Sequence, residues 1–175
     1  MIIKRPVSSE YPEYFEQYIK LVPGDTVLKK LQDSILELQS ILSNIPEEKE
    51  KFSYAPGKWS IKDVVGHLID TERIMAYRTL RFGRNDKAEL QGYDQNIYAP
   101  HANYNKRTLY DIAHEFGHVR ESSIILFKNF DEEALMRKGR ANNWDMTVRS
   151  IIYVISGHEI HHLNVLRSKY LPELD

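Results

Sequence analysis

The segment Thr147 to Tyr170, TVRSIIYVISGHEIHHLNVLRSKY, carries an amphipathic helical pattern whose middle turns hold histidines in place of aliphatics. Val148, Ile151, Ile152, Ile155, Leu163 and Leu166 recur at the 3.6-residue period as one apolar stripe, and His158, Glu159 and His162 continue it without a break. Three polar side chains are therefore aimed at a core. Left unpartnered there, an imidazole or carboxylate costs about 1–3 kcal/mol, so each needs a hydrogen bond, an ion pair or a metal. His158 and His162 stand one helical turn apart, which lets both rings reach a single divalent ion. His161 falls toward the polar flank.

The same residues match H-E-x-x-H, which would make Glu159 the base of a zinc protease. No histidine follows His162, so the extended metzincin spacing has no third ligand there and any such ligand comes from upstream. On its own, the H-x-x-x-H spacing fits a hydrogen-bonded structural pair as well as a metal.

A chain of 175 residues fits one domain and is long enough to bury a sizeable core. Its 42% hydrophobic and 28% charged residues are ordinary for a globular protein, and a net charge of -1 with both signs interspersed gives no electrostatic reason to expect nucleic acid as a partner. No apolar run approaches the roughly 20 residues that span a bilayer, and the N-terminus lacks the apolar core of a signal peptide. A cytoplasmic protein without a membrane partner is expected. The chain has no cysteine, which removes disulfides, thiolate nucleophiles and Cys-type zinc sites together and leaves His, Asp and Glu as possible ligands.

Four amphipathic segments organise the chain. Residues 1–24 are framed by Pro6, Pro12, Pro23 and Gly24 around an aromatic stretch with room for two or three helical turns, read as an extension packing on the body. Asp25 or Thr26 caps a first helix near 26–43, with Val27, Leu28, Leu31, Ile35, Leu38, Ile41 and Leu42 inward. After the Pro56-Gly57 turn, Ser60 and Asp63 form a near capping box for a second helix at 60–82, with Ile61, Val64, Val65, Leu68, Met75 and Leu80 on its stripe. Glu72 lies near the centre of that stripe, and His67 on its flank beside Thr71. Thr108 with Asp111 opens a third helix at 108–129, whose stripe of Leu109, Ile112, Ala113, Phe116, Val119, Ile124, Phe127 and Phe130 includes Arg120 and Ser123. Its HEFGH is a second H-E-x-x-H match, but His114 and His118 project away from the stripe into water. Thr147 caps the fourth helix, 147–170.

Between the second and third helices, residues 83–106 lose all periodicity. A connection this long either covers or builds a site or is a solvated loop, and Tyr93, Asp94, Tyr98 and His101 are its candidate pocket residues. Residues 131–146 read as a polar connection turning at Gly139, Asn142 and Asn143, and no strand is expected. Four amphipathic helices without strands make an all-α, single-domain four-helix bundle the economical architecture, and the long connection permits helices two and three to run parallel across a crossover.

PGKWSIKDVVGHLIDTER (56–73) and TVRSIIYVISGHEIHHLNVLR (147–167) resemble, in order, the two signatures of the DinB/YfiT-like superfamily of metal-binding four-helix bundles, over roughly residues 52–170. The resemblance implies a long crossover connection and a ligand set of one histidine from the second helix with an H-x-x-x-H pair from the fourth, here His67, His158 and His162. It also implies zinc or nickel, metal-dependent hydrolysis or transfer of a low-molecular-weight thiol to a small electrophilic molecule, and a homodimer. HEFGH is outside that signature, and His161 beside His162 is a rival ligand. An open position beside three neutral imidazoles is the arrangement of a catalytic metal site, completed by water. Glu159 would then act as a catalytic proton acceptor or orient a ligand histidine, unless it pairs with Arg120. A metal-binding stress-response protein without turnover is the alternative.

Overall fold

Each long helix of the computed structural model, which describes residues 1–173, starts at a polar residue preceding an apolar-periodic run. After the single turn α1 (Glu16–Ile19), α2 spans Val27–Ser43 and α3 spans Ile61–Gly83. Ser60 Oγ accepts from the Asp63 amide and Asp63 Oδ2 accepts from the Ser60 amide, completing the capping box at the head of α3. A short α4 (Gln95–His101) precedes α5 (Leu109–Lys128), capped by Thr108. A five-residue α6 (Glu132–Met136), a hairpin of β1 (Lys138–Ala141) and β2 (Trp144–Thr147), and α7 (Val148–Val165) complete the order, and the helical path continues to Tyr170 through a wider turn. Thr26 precedes α2 without a side-chain cap, because its hydroxyl donates to Pro23 O while Asp25 accepts the Arg5 amide.

The side-chain contacts set the helix directions. Lys62 meets the Arg107 carbonyl, Arg73 meets Glu115, and a Cβ on Gly83 would strike Phe130, so α3 and α5 run parallel, joined by the long crossover. Trp59 O accepts from Tyr170 Oη while His67 faces His158 and His162, so α3 and α7 are antiparallel. In the four-membered ring, α2 packs on α5 and α7, and so does α3; consecutive α2 and α3 lie across the diagonal.

The core is two apolar clusters. One gathers Leu31, Met75, Phe82, Phe127 and Ile151, the other Leu38, Ile61, Leu68, Phe116 and Leu163. Where the helices pass from one cluster to the other they contribute buried polar groups: Ser34, then His67, Thr71 and Glu72, then Arg120 and Ser123, then Ser156, His158 and Glu159. A polar layer therefore crosses the bundle at mid-height. Leu80, expected on the α3 stripe, is partly exposed, and Phe82 takes the buried place at that end.

Two connections hold more structure than their sequences announce. The segment 131–146, expected as an irregular connection, contains the hairpin, with Lys138 opposite Thr147 and Ala141 opposite Trp144. Asn142 and Asn143 both take positive φ, the backbone demanded by a two-residue hairpin turn that matches strand twist. Four-residue strands reading KGRA and WDMT are too short and too charged to display alternation. Leu90 joins the edge of β1, its amide donating to Arg140 O, which ties the crossover to the hairpin. Inside the crossover, Asp94 Oδ1 accepts from the Asn96 amide and starts α4.

Candidate metal centre

Gly157, next to His158 on α7, is where the N-terminal segment presses against the bundle. A Cβ at Gly157 would lie 2.0 Å from the Tyr18 carbonyl oxygen, so only glycine admits that close approach. It brings the Tyr18 ring edge-on to His158 and His161, with centroids at 5.3 and 5.6 Å. The extension read as packing material thus also walls the centre of the molecule.

His67 of α3 meets His158 and His162 of α7 at the polar layer. His158 Nε2 lies 3.1 Å from His67 Nε2 and 3.1 Å from His162 Nε2, and one ligand atom from each ring falls within 4.8 Å of the others. A neutral imidazole nitrogen carries either one proton or one lone pair, so His158 Nε2 cannot make a good hydrogen bond to both neighbours at once. A cation accepting three lone pairs satisfies all of them. Ligand bonds of about 2.0–2.1 Å in a tetrahedral site separate neighbouring ligand atoms by roughly 3.3 Å, close to the two 3.1 Å separations from His158 Nε2.

The surroundings favour that protonation state. Burial pushes His67 down to about 4. Burial, followed by repulsion from His67 and His161, pushes His162 down to about 3, and His158 is held well below the ordinary range by burial and its histidine neighbours. Near neutrality all three rings are uncharged with lone pairs free. His67 Nδ1 stands 3.3 Å from Thr71 Oγ1, itself 2.7 Å from Tyr93 Oη. With Nδ1–H donating to Thr71, the Nε2 lone pair of His67 points at the other two histidines. The Trp59 ring lies over His67 at 4.8 Å between centroids.

Glu159 is placed differently. Its Oε2 accepts from Arg120 Nη1 at 2.6 Å, while Arg120 also donates to both carboxylate oxygens of Glu72 and to Ser34 Oγ. Arg120 is 1% exposed and stays charged, because the two carboxylates outweigh its desolvation. Burial pushes the Glu159 carboxyl up, and among the described residues its Oε1 has no hydrogen-bond partner.

The other candidates divide. Tyr93 and Asp94 line a cavity of about 310 Å³ whose wall includes His158 and Thr71, while Tyr98 lines a smaller neighbouring cleft with His67. His101 is exposed, its Nδ1 against the Ile97 carbonyl. His161 lies beside the three-histidine group against Tyr18. His114 and His118 are exposed, and the Glu115 between them pairs with Arg73 and Arg107. Tyr14, Phe15, Tyr18, Arg78 and Trp144, which periodicity did not single out, also line the larger cavity. Only the spacing of Arg78 carried a signal: His67, Thr71, Met75 and Arg78 follow i, i+4, i+8 and i+11 along one face of α3.

A diagonal-paired helical bundle with inward histidines on its second and fourth long helices defines the class of protein. The chain belongs to the DinB superfamily, whose family model matches residues 30–166. It is similar in structure to YfiT from Bacillus subtilis, described as a probable metal-dependent hydrolase with an unusual four-helix bundle topology, at TM-score 0.71 and 15% identity, covering 93% of this chain and 91% of that one. A DinB-like protein of Bacillus subtilis, YjoA, matches at TM-score 0.59 and 16% identity over 85% and 91% of the two chains. The mycothiol-dependent maleylpyruvate isomerase matches at TM-score 0.66 and 10% identity, over 90% of this chain and 66% of that one. Comparison with curated protein sequences returned no match. Among the described residues no helix is long and apolar enough to cross a membrane.

Proposed function

We propose that the chain is a metal-dependent enzyme in which His67, His158 and His162 hold one divalent ion, zinc or nickel, and act on a small electrophilic molecule in the adjoining cavity. The observation that carries this is the convergence of three imidazoles beside a cavity of about 310 Å³ that shares His158 as a wall. When bound, such an ion supplies Lewis acidity, polarising a substrate oxygen or favouring the deprotonated form of a water or thiol. Thr71 and Tyr93 fix the His67 ring and its tautomer, and Trp59 shields it from solvent. With its Oε2 on Arg120, Glu159 serves the chemistry by holding the turn of α7 that carries His158, rather than as a proton acceptor. Hydrolysis and thiol transfer both fit, in keeping with the structural likeness to a probable metal-dependent hydrolase and to a mycothiol-dependent isomerase.

A metal-binding stress-response protein, in which the ion only braces the core, is the second reading; the partial exposure of His162 and the cavity at His158 weigh against it. Metal analysis of protein purified without added metal, followed by a screen for hydrolysis and thiol addition, tests the choice. One ion per chain is expected, with turnover that chelation removes and zinc or nickel restores. One ion without turnover in either arm returns the second reading, and no metal overturns both.

A further inference from the structure

We infer that the cavity beside the three histidines takes a small carboxylic acid, and that Arg78 is the residue that binds its carboxylate. Three cations are buried among the described residues. Lys62 pairs with Glu50, and Arg120 pairs with Glu72 and Glu159. Among the described residues Arg78 meets no carboxylate: its side-chain hydrogen bonds go to Met75 and Gln91. Its Nη1 points to Met75 Sδ at 3.6 Å and its Nη2 donates to Gln91 O at 3.1 Å, contacts that steady the guanidinium and leave part of its five-donor fork unfilled. Desolvation pulls its pKa below the usual arginine range, yet a guanidinium stays protonated. A fixed, desolvated, uncompensated cation in a cavity wall is what a planar anion completes with paired, charge-assisted hydrogen bonds.

The rest of the wall narrows the class. Phe15 and Trp144 meet edge to face at 5.1 Å, offering apolar surface to the body of the ligand. One guanidinium, with Asp94 on the same wall, matches a single negative charge better than a dianionic phosphate. Eleven residues separate Arg78 from His67 on the same face of α3, about 16 Å between Cα atoms along the axis, and helical side chains lean toward the N-terminus. The acid therefore sits several bonds away from the group that reaches the histidines. The placement of the reacting end rests on the proposed metal centre, but the Arg78 subsite does not need the ion.

The experiment titrates metal-free protein at pH 7.5 with phenylacetate, phenylacetamide and phenyl phosphate, following ligand-observed NMR. Phenylacetate is expected to bind about tenfold or more tightly than the amide of the same shape. In Arg78→Gln that preference should vanish, and in Arg78→Lys, which keeps the charge but not the fork, it should survive in part. Thermal unfolding by circular dichroism verifies that each variant is folded, and the acid-against-amide comparison on the unaltered chain stands without the variants. No binding of phenylacetate up to about 10 mM, equal binding of acid and amide, persistence of the preference in folded Arg78→Gln, or tighter binding of phenyl phosphate would each overturn the carboxylate subsite. Because the ion is absent throughout, a failure here leaves the metal reading intact, and a failure of metal binding leaves this result intact.

Discussion

His158 and Glu159 are consecutive residues, both buried on α7, and they open onto two different polar interiors. Glu159 enters a network in which one guanidinium serves two carboxylates and a hydroxyl, whereas His158 enters a cluster of like groups that cannot satisfy one another. Burial alone therefore does not mark function. What separates the two is whether the folded chain supplies an opposite charge: for Glu159 it does at Oε2, through Arg120, while the histidines meet one another and the Thr71 hydroxyl.

Removing the cation of the ion-pair network should have the largest effect. Arg120→Met leaves Glu72 and Glu159 buried without their cation, and urea denaturation is expected to show a loss of about 3–5 kcal/mol. If the variant is as stable as the parent, the network does not brace the bundle.

On the histidine side the expected loss is of ligand binding. His158→Ala should abolish stoichiometric zinc uptake and, with it, the stabilisation of about 4 kcal/mol that a ligand at a thousandfold excess over its Kd confers. Zinc titration monitored by thermal melting measures both, and a variant still taking one ion per chain would move the centre elsewhere.

Acid should sharpen the contrast in metal-free protein. The folded pKa values of His67 and His162, about 4 and about 3, lie below the ordinary 6.5, so the unfolded chain takes up protons first as pH falls. Stability is full above about 6.5 and declines below it, by about 2 kcal/mol per histidine at pH 5. Urea midpoints at pH 7.5 and 5 measure the decline, which should be smaller in His67→Ala. A flat profile would mean that the rings are not held neutral.

The smallest effect belongs to the solvent-facing motif. His118→Ala is expected to change stability by no more than about 0.5 kcal/mol and to leave zinc stoichiometry unaltered. Loss of zinc from this variant would transfer the centre to HEFGH.

The sequence by itself determined the four long helices and their inward faces, because a 3.6-residue period is a local property that each segment displays without its neighbours. It also exposed the anomaly on α7, where polar residues occupy aliphatic places, and the inward Arg120 on α5. Resemblance to the DinB/YfiT-like signatures supplied His67, which its own helix left on the flank. The hairpin stayed hidden because four-residue charged strands are defined by pairing rather than by pattern. Tertiary structure alone decided who meets whom: Arg120 is drawn to Glu159 across 39 residues, and His67 reaches His158 across 91. It also decided that Tyr18, Trp144 and Arg78, from the N-terminal segment, the hairpin and α3, enclose one cavity. Periodicity tells a residue which way to face, but partners lie on other elements, and their placement follows from the diagonal packing of α2 and α3 that no single helix encodes.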